Sequence, residues 1–261
     1  MDQGSPPIGG LLFCIANNQP PRLFLCTAME RYTYLLLDLL SIAFPLMASF
    51  EKRLQFWRKC PGLFVGIAVM AAIFIPWDIV FTARSYWGFN DRYLIGIRIA
   101  GLPLEEWLFF LMIPYSCIFL YEVMKHFVKK DVLDRSAPAI AILTSIVLLT
   151  IAILNFDRAY TSITFVGAAI LLLLHALVFR SPWLGRFFIG YAVSLIPFLI
   201  VNGMLTGSFL QEPVVWYNNE ENLGIRLTTI PIEDSIYLLL MLLIVATFHE
   251  AWDRRRQQLP A

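Results

Sequence analysis

Long apolar stretches separated by polar connections dominate this chain. Seven segments are long enough to cross a bilayer: Tyr32–Phe50, Gly62–Phe81, Leu104–Tyr121, Ala137–Leu154, Ser162–Phe179, Phe187–Leu205 and Ile232–Ala251. A spanning helix needs about 20 apolar residues. In lipid such runs must be helical, because unpaired backbone groups find no water. The pattern therefore predicts an all-α polytopic membrane protein with seven transmembrane helices. The two longest connections, Thr82–Pro103 and Thr206–Pro231, are rich in Trp, Tyr, Asn, Arg and acids. Function concentrates in such loops.

Composition strengthens the membrane reading. Of 261 residues, 59% are hydrophobic and only 15% charged, whereas a soluble domain carries about 25% charge. A soluble enzyme, a disordered chain and a nucleic-acid binder are excluded; the lipid membrane is the expected environment. The net charge of +1 carries no partner signal. The 20 Lys and Arg divide unevenly, seven on the side of the N-terminus and 13 on the other. The positive-inside rule puts the N-terminus outside and the C-terminus in the cytoplasm, in a plasma or inner membrane. Residues 1–28 lack the basic start and unbroken apolar core of a signal peptide. They read as a dispensable extension or a flexible external tail, with Met29 as an alternative start. Cys14, Cys26, Cys60 and Cys117 show no metal or pairing pattern and read as packing residues.

The chain also repeats itself. Gly96-Ile97-Arg98 recurs as Gly224-Ile225-Arg226, and Pro103-Leu104-Glu105-Glu106 as Pro231-Ile232-Glu233-Asp234. Phe89-Asn90 recurs as Tyr217-Asn218, and Tyr121-Glu122 as His249-Glu250, always 128 residues apart. One offset across four groups marks an internal duplication. It divides the chain into an extension (1–28), a first three-helix repeat (29–127), a linker helix (128–158), a second three-helix repeat (159–252) and a basic tail (253–261). Equivalent helices run in the same direction, so the repeats are parallel and both Pro-x-acid-acid motifs enter from the external side. Pro76-Trp77-Asp78 falls near Val201-Asn202-Gly203 in this scheme.

Glu105, Glu106, Glu233 and Asp234 are the leading chemical candidates. Acids in a first turn also satisfy free N–H groups and complement the helix dipole, which is the structural alternative. Asp38 and Asp78 lie inside spanning segments, where acids are costly and functional by default; Asp38 could equally bond a neighbouring helix. Trp77, Trp87, Phe89, Trp107, Phe109 and Tyr217 gather around the acid motifs in sequence, and Tyr237 follows the second. Acids with aromatic walls suit proton-initiated carbocation chemistry; an interfacial aromatic belt would look the same. Glu122 and Glu250 read as salt-bridge partners at the cytoplasmic ends. Three histidines are too few for a di-iron oxygenase. There is no dinucleotide fingerprint, no Asp-rich pair for magnesium–diphosphate binding, and no lysine on the last helix for a retinal Schiff base. No metal and no cofactor is expected.

Phe50-Glu51-Lys52-Arg53, Pro76-Trp77-Asp78, Trp87-Gly88-Phe89-Asn90, Pro103-Leu104-Glu105-Glu106-Trp107, Val201-Asn202-Gly203 and Pro231-Ile232-Glu233-Asp234 together resemble the integral-membrane lycopene cyclases. In that family two small homologous subunits pair, or occur fused as this chain resembles. The resemblance implies redox-neutral conversion of the ψ ends of lycopene, or related acyclic carotenoids in the bilayer, to β-ionone rings by way of γ-carotene. It implies Glu105, Glu106, Glu233 and Asp234 as the acid/base set, with Glu105 or Glu233 as proton donor. Arg98 and Arg226 would fix the charge state of the acids, and Asn90 and Asn202 would orient them. Asp38, Trp77, Asp78, Trp87, Trp107 and Tyr237 would support or contact substrate. A proton-coupled transporter and a non-catalytic carotenoid-binding protein are the competing readings, and oligomeric state is open.

Overall fold

A computed structural model describes residues 30–128 and 130–258. The extension to residue 28 and the Met29 start lie outside the described residues. All seven apolar segments are helical: α1 Thr33–Ala48, α2 Cys60–Ala83, α3 Leu104–Phe127, α4 Ala137–Leu154, α5 Ala159–Leu173, α6 Leu184–Leu205 and α7 Ile232–Gln258. A π-helical turn, Leu174–Val178, prolongs α5. Six of the helices are long and apolar enough to cross a membrane, while α1, with 16 residues, is shorter. α7 runs through much of the expected basic tail. Its last turns are held by Asp253, 3.3 Å from Lys59 Nζ, and by Arg256, whose guanidinium donates to the Arg58 carbonyl at 2.5 Å.

The fold is mostly helical but not purely so. β1 (Trp87–Phe89) pairs antiparallel with β4 (Val215–Tyr217), so the two long loops are stitched together with Trp87 opposite Tyr217. Two tight hairpins, β2 (Arg98–Ile99) with β3 (Leu102–Pro103) and β5 (Arg226–Leu227) with β6 (Ile230–Pro231), lead into α3 and α7. Hydropathy could not reveal strands of two or three residues. Both hairpins turn through a left-handed residue, Ala100 (φ 51°) and Thr228 (φ 60°), placed alike.

Helix packing crosses the halves. α1 packs on α3 and α5 on α7, but α2 packs chiefly on α7, and α6 chiefly on α3; α4 covers α5. Glycines permit the two crossings. A Cβ on Gly66 would stand 2.6 Å from the Val245 carbonyl oxygen of α7, and one on Gly190 2.7 Å from the Tyr121 ring of α3. The core is a continuous set of Phe, Tyr, Leu and Ala side chains between these helices.

At the far ends of α3 and α7 the equivalent pairs bond reciprocally. Tyr121 donates to Glu250 (2.6 Å), and His249 Nε2 lies 3.0 Å from Glu122. Lys125 donates to both Glu122 (2.8 Å) and Glu250 (2.5 Å), and Lys59 to Glu122 (2.6 Å). Glu122 and Glu250 do form salt bridges as expected, but buried between helices rather than at a solvated rim.

Candidate active site

At the opposite end, each hairpin places an acid pair at the first turn of its helix. Leu104 N–H bonds the Ile97 carbonyl (2.9 Å), and Ile232 N–H the Ile225 carbonyl (3.0 Å). Successive helical residues are about 100° apart, so adjacent acids face different ways. Glu105 and Glu233 turn toward the loops. Glu105 accepts from the Ile95 N–H and Glu233 from the Leu223 N–H, both at 2.7 Å, and Glu233 also from the Thr161 hydroxyl (2.7 Å). Both are fully buried, each with its second oxygen unpartnered among the described residues.

Glu106 and Asp234 turn inward instead. They line one cavity of about 50 Å³ with Asp78 of α2, Asn202 and Phe198 of α6, Trp87, Tyr217 and Tyr237. Tyr34 of α1 donates to Glu106 (2.5 Å), and Tyr160 of α5 to Asp234 (2.6 Å). Asp234 also accepts from Asn202 Nδ2 (2.7 Å) and the Tyr217 hydroxyl (3.0 Å). Burial, and next the adjacent Asp234, hold the Tyr217 phenol well above the usual tyrosine range, so it remains a donor. The Trp87 indole N–H donates to Asp78 Oδ1, while Asp78 Oδ2 is buried without a partner among the described residues. Glu106 has the greatest exposure of the three cavity acids, 9% against 3% for Asp234 and 1% for Asp78.

Aromatic rings close the walls. Tyr160 stacks on Tyr217 at 5.9 Å, Trp87 meets Tyr160 edge-on at 5.0 Å, and Phe74 meets Tyr237 at 4.7 Å. Trp77 stands behind Tyr237 at 5.2 Å, outside the cavity. Asp38 is buried one helical turn beyond Tyr34, both oxygens unpartnered among the described residues, within electrostatic reach of Glu105.

Besides Trp77, four expected residues are not brought to the acids. Arg98 pairs with Asp91 (2.6 Å) and donates to the Gly101 carbonyl; Arg226 donates to the Thr229 carbonyl (2.6 Å) and Asn219 (2.7 Å). Both brace hairpins, because their guanidinium groups reach back over the turn. Asn90 donates to Glu212 (2.9 Å) and caps a short turn through the Arg92 N–H, so of the two asparagines only Asn202 bonds a motif acid. Trp107 donates to the Ile99 carbonyl (3.2 Å) on the hairpin's outer side.

Sequence reasoning missed Tyr34 and Tyr160. They lie 126 residues apart rather than 128, so a search at one fixed offset passes over them. The second helices are offset by 124, aligning Gly66 with Gly190, Phe74 with Phe198, Asp78 with Asn202 and Thr82 with Thr206.

The fold and site thus define a helical, membrane-type protein enclosing a carboxyl-lined aromatic chamber. The family model described as Lycopene cyclase matches residues 31–124 and again 157–252, and the chain belongs to the lycopene cyclase family. Over 60 residues, 23% of this chain, it is 38% identical to a bifunctional lycopene cyclase/phytoene synthase of Leptosphaeria maculans. That stretch takes in only 10% of the fungal protein. No solved structure matches the chain.

Proposed function

We propose that this chain is a lycopene β-cyclase, closing the ψ ends of lycopene to β-ionone rings by acid/base catalysis within the membrane. The observation that carries the proposal is the convergence of Asp78, Glu106 and Asp234, from both halves of the chain, on one aromatic chamber. In this reading all seven helices span. Two parallel repeats, 29–127 and 159–252, flank the linker 128–158, with the chamber toward the outside and the C-terminus in the cytoplasm.

The substrate is a hydrocarbon with no polar handle, so shape, dryness and one placed acid must do the work. Glu106 is assigned as proton donor: among the described residues a single side-chain hydrogen bond, from Tyr34, engages it, and it is the most exposed of the cavity acids. Its proton adds to the terminal double bond and leaves a tertiary cation. The internal double bond attacks, the ring closes, and the cation moves within the ring. Asp234, which accepts three hydrogen bonds, suits an anion that faces the cation and takes the departing proton. Aromatic faces stabilise the cation in between. No electrons are gained or lost, and no cofactor is required by this balance. Glu105 and Glu233 become positioning residues that hold the loops over the chamber.

The test is expression in a lycopene-accumulating host, with chromatography of the pigments. Wild type should yield γ- and β-carotene. Glu106→Gln should accumulate normally yet lower ring closure at least about a hundredfold, the scale of lost general-acid catalysis. Unchanged lycopene with wild type would sink the cyclase reading; full activity in Glu106→Gln would sink the donor assignment.

A further inference from the structure

A second cavity, of about 430 Å³, opens between α1, α3 and α6, against about 50 Å³ for the acid chamber. It is almost wholly apolar. Its two serines are engaged: the Ser41 hydroxyl donates to the Leu37 carbonyl (2.7 Å), and the Ser116 hydroxyl reaches the Met112 (2.8 Å) and Ser41 (2.9 Å) carbonyls. Its outer wall includes the exposed side chains of Leu40 and Phe44, which face the surroundings of the helices.

The groove continues the acid chamber along all three helices. On α1, Tyr34 lines the chamber and Leu37, one turn on, the groove; on α3, Phe109 and Ile113 divide in the same way. Phe198 of α6 belongs to both and forms the partition. The duplication supplies the contrast. The counterpart of Val201, which lines the groove, is Trp77 of α2, and Trp77 fills its place against Phe74 (5.2 Å), Phe81 (5.6 Å) and Tyr237 (5.2 Å).

We propose that this groove is the binding site for the polyene chain of the substrate, entered laterally from the bilayer, with Phe198 as the movable partition to the chamber. The proposal rests on the cyclase reading above. A carotenoid end group is far larger than the chamber as it stands, so a wall must move to admit it. Phe198 is the wall whose other side is already apolar and roomy. The stretch of polyene next to the reacting end then lies in the groove, where no donor or acceptor competes for it, and the rest reaches on into the bilayer. The protein thereby holds one end of the substrate at a time, and a product's second end must re-enter by the same route.

Val201→Trp tests this, since the fold already holds a Trp at the equivalent position. In liposomes it should raise KM for lycopene by about tenfold or more, with kcat changed far less, as expected for lost uniform binding. Val147→Trp, on α4 away from the groove, should match wild type. An acyclic polyene with a photoreactive group about 15 Å along the chain from the reacting end, the span from Tyr34 to Phe44 at about 1.5 Å per helical residue, should label Leu40, Phe44 and their neighbours. Val201→Trp should cut that labelling by about tenfold, in line with the kinetic effect. Labelling needs no turnover, so it reads the groove even if wild type makes no cyclic product. Label placed elsewhere, or undiminished by Val201→Trp, overturns the proposal. So does equal labelling of the groove by a phospholipid with the same group on its acyl chain that excess lycopene does not displace.

Discussion

At the residue scale, two neighbouring glutamates of one helix turn face different surroundings. Glu105 spends one oxygen on a loop N–H, whereas Glu106 faces the chamber. Glu105→Gln keeps a carbonyl acceptor for Ile95, so thermal stability should fall by no more than about 1 kcal/mol and ring closure should persist. Glu105→Leu leaves that N–H unpaired and should cost about 1–3 kcal/mol, read as a lowered unfolding temperature in detergent. A hundredfold activity loss in Glu105→Gln would restore it as the donor. Asn202→Leu strips one of three donors from Asp234. Hydrogen bonds to a charged group are worth about 1.5–3 kcal/mol, so kcat should fall about tenfold or more, with the protein still folded. In heavy water, one deuterium should enter each new ring at the carbon first protonated; rings without deuterium would refute protonation as the initiating step.

Helices and hairpins carry different parts of the site. The hairpins orient the acid pairs, and α2 and α6 supply Asp78 and Asn202 from behind. The crossing of α2 over α7 depends on Gly66, where any Cβ meets the Val245 backbone. Gly66→Val should push the helices apart and destabilise the protein by about 1–3 kcal/mol, the usual scale of overpacking. Because Asp78 rides on the same helix three turns along, activity should fall with stability. Retained full activity and unfolding temperature would show that α2 can shift without moving Asp78.

The whole molecule is two interlocked halves fastened at both ends. β1 and β4 join the loops on the chamber side; the Tyr121–Glu250 and His249–Glu122 bonds join α3 and α7 on the other, with Lys125 shared between the acids. Lys125→Met would leave two buried carboxylates short of a cation. Removing one partner of a buried pair costs about 3–5 kcal/mol, so expression and detergent stability should drop sharply. If the unfolding temperature is unchanged, Lys59 suffices for Glu122 and the Tyr121 hydroxyl for Glu250.

Much of this protein was legible along the chain. Hydrophobic run length is a local property, so all seven helices could be read from it, with most ends displaced by a few residues and the polar last turns of α3 and α7 missed. The duplication was visible because the hairpins and the starts of α3 and α7 kept one spacing, and those segments do superpose in role, down to Arg98 with Gly101 and Arg226 with Thr229. Loop lengths between the elements had drifted, so Tyr34 and Tyr160 fell out of register and needed the tertiary structure to be paired, while the Asp78 and Asn202 segments were matched along the chain only to within a residue. Only that structure decided which member of each acid pair faces the chamber. A step of about 100° per helical residue separates neighbours that look alike in sequence, and their surroundings come from the other half of the chain. The arginines followed the same logic in reverse. Their charge suggested the acids as partners, yet a long side chain at a hairpin bonds the nearest carbonyl its geometry reaches, and for Arg98 and Arg226 that is their own turn.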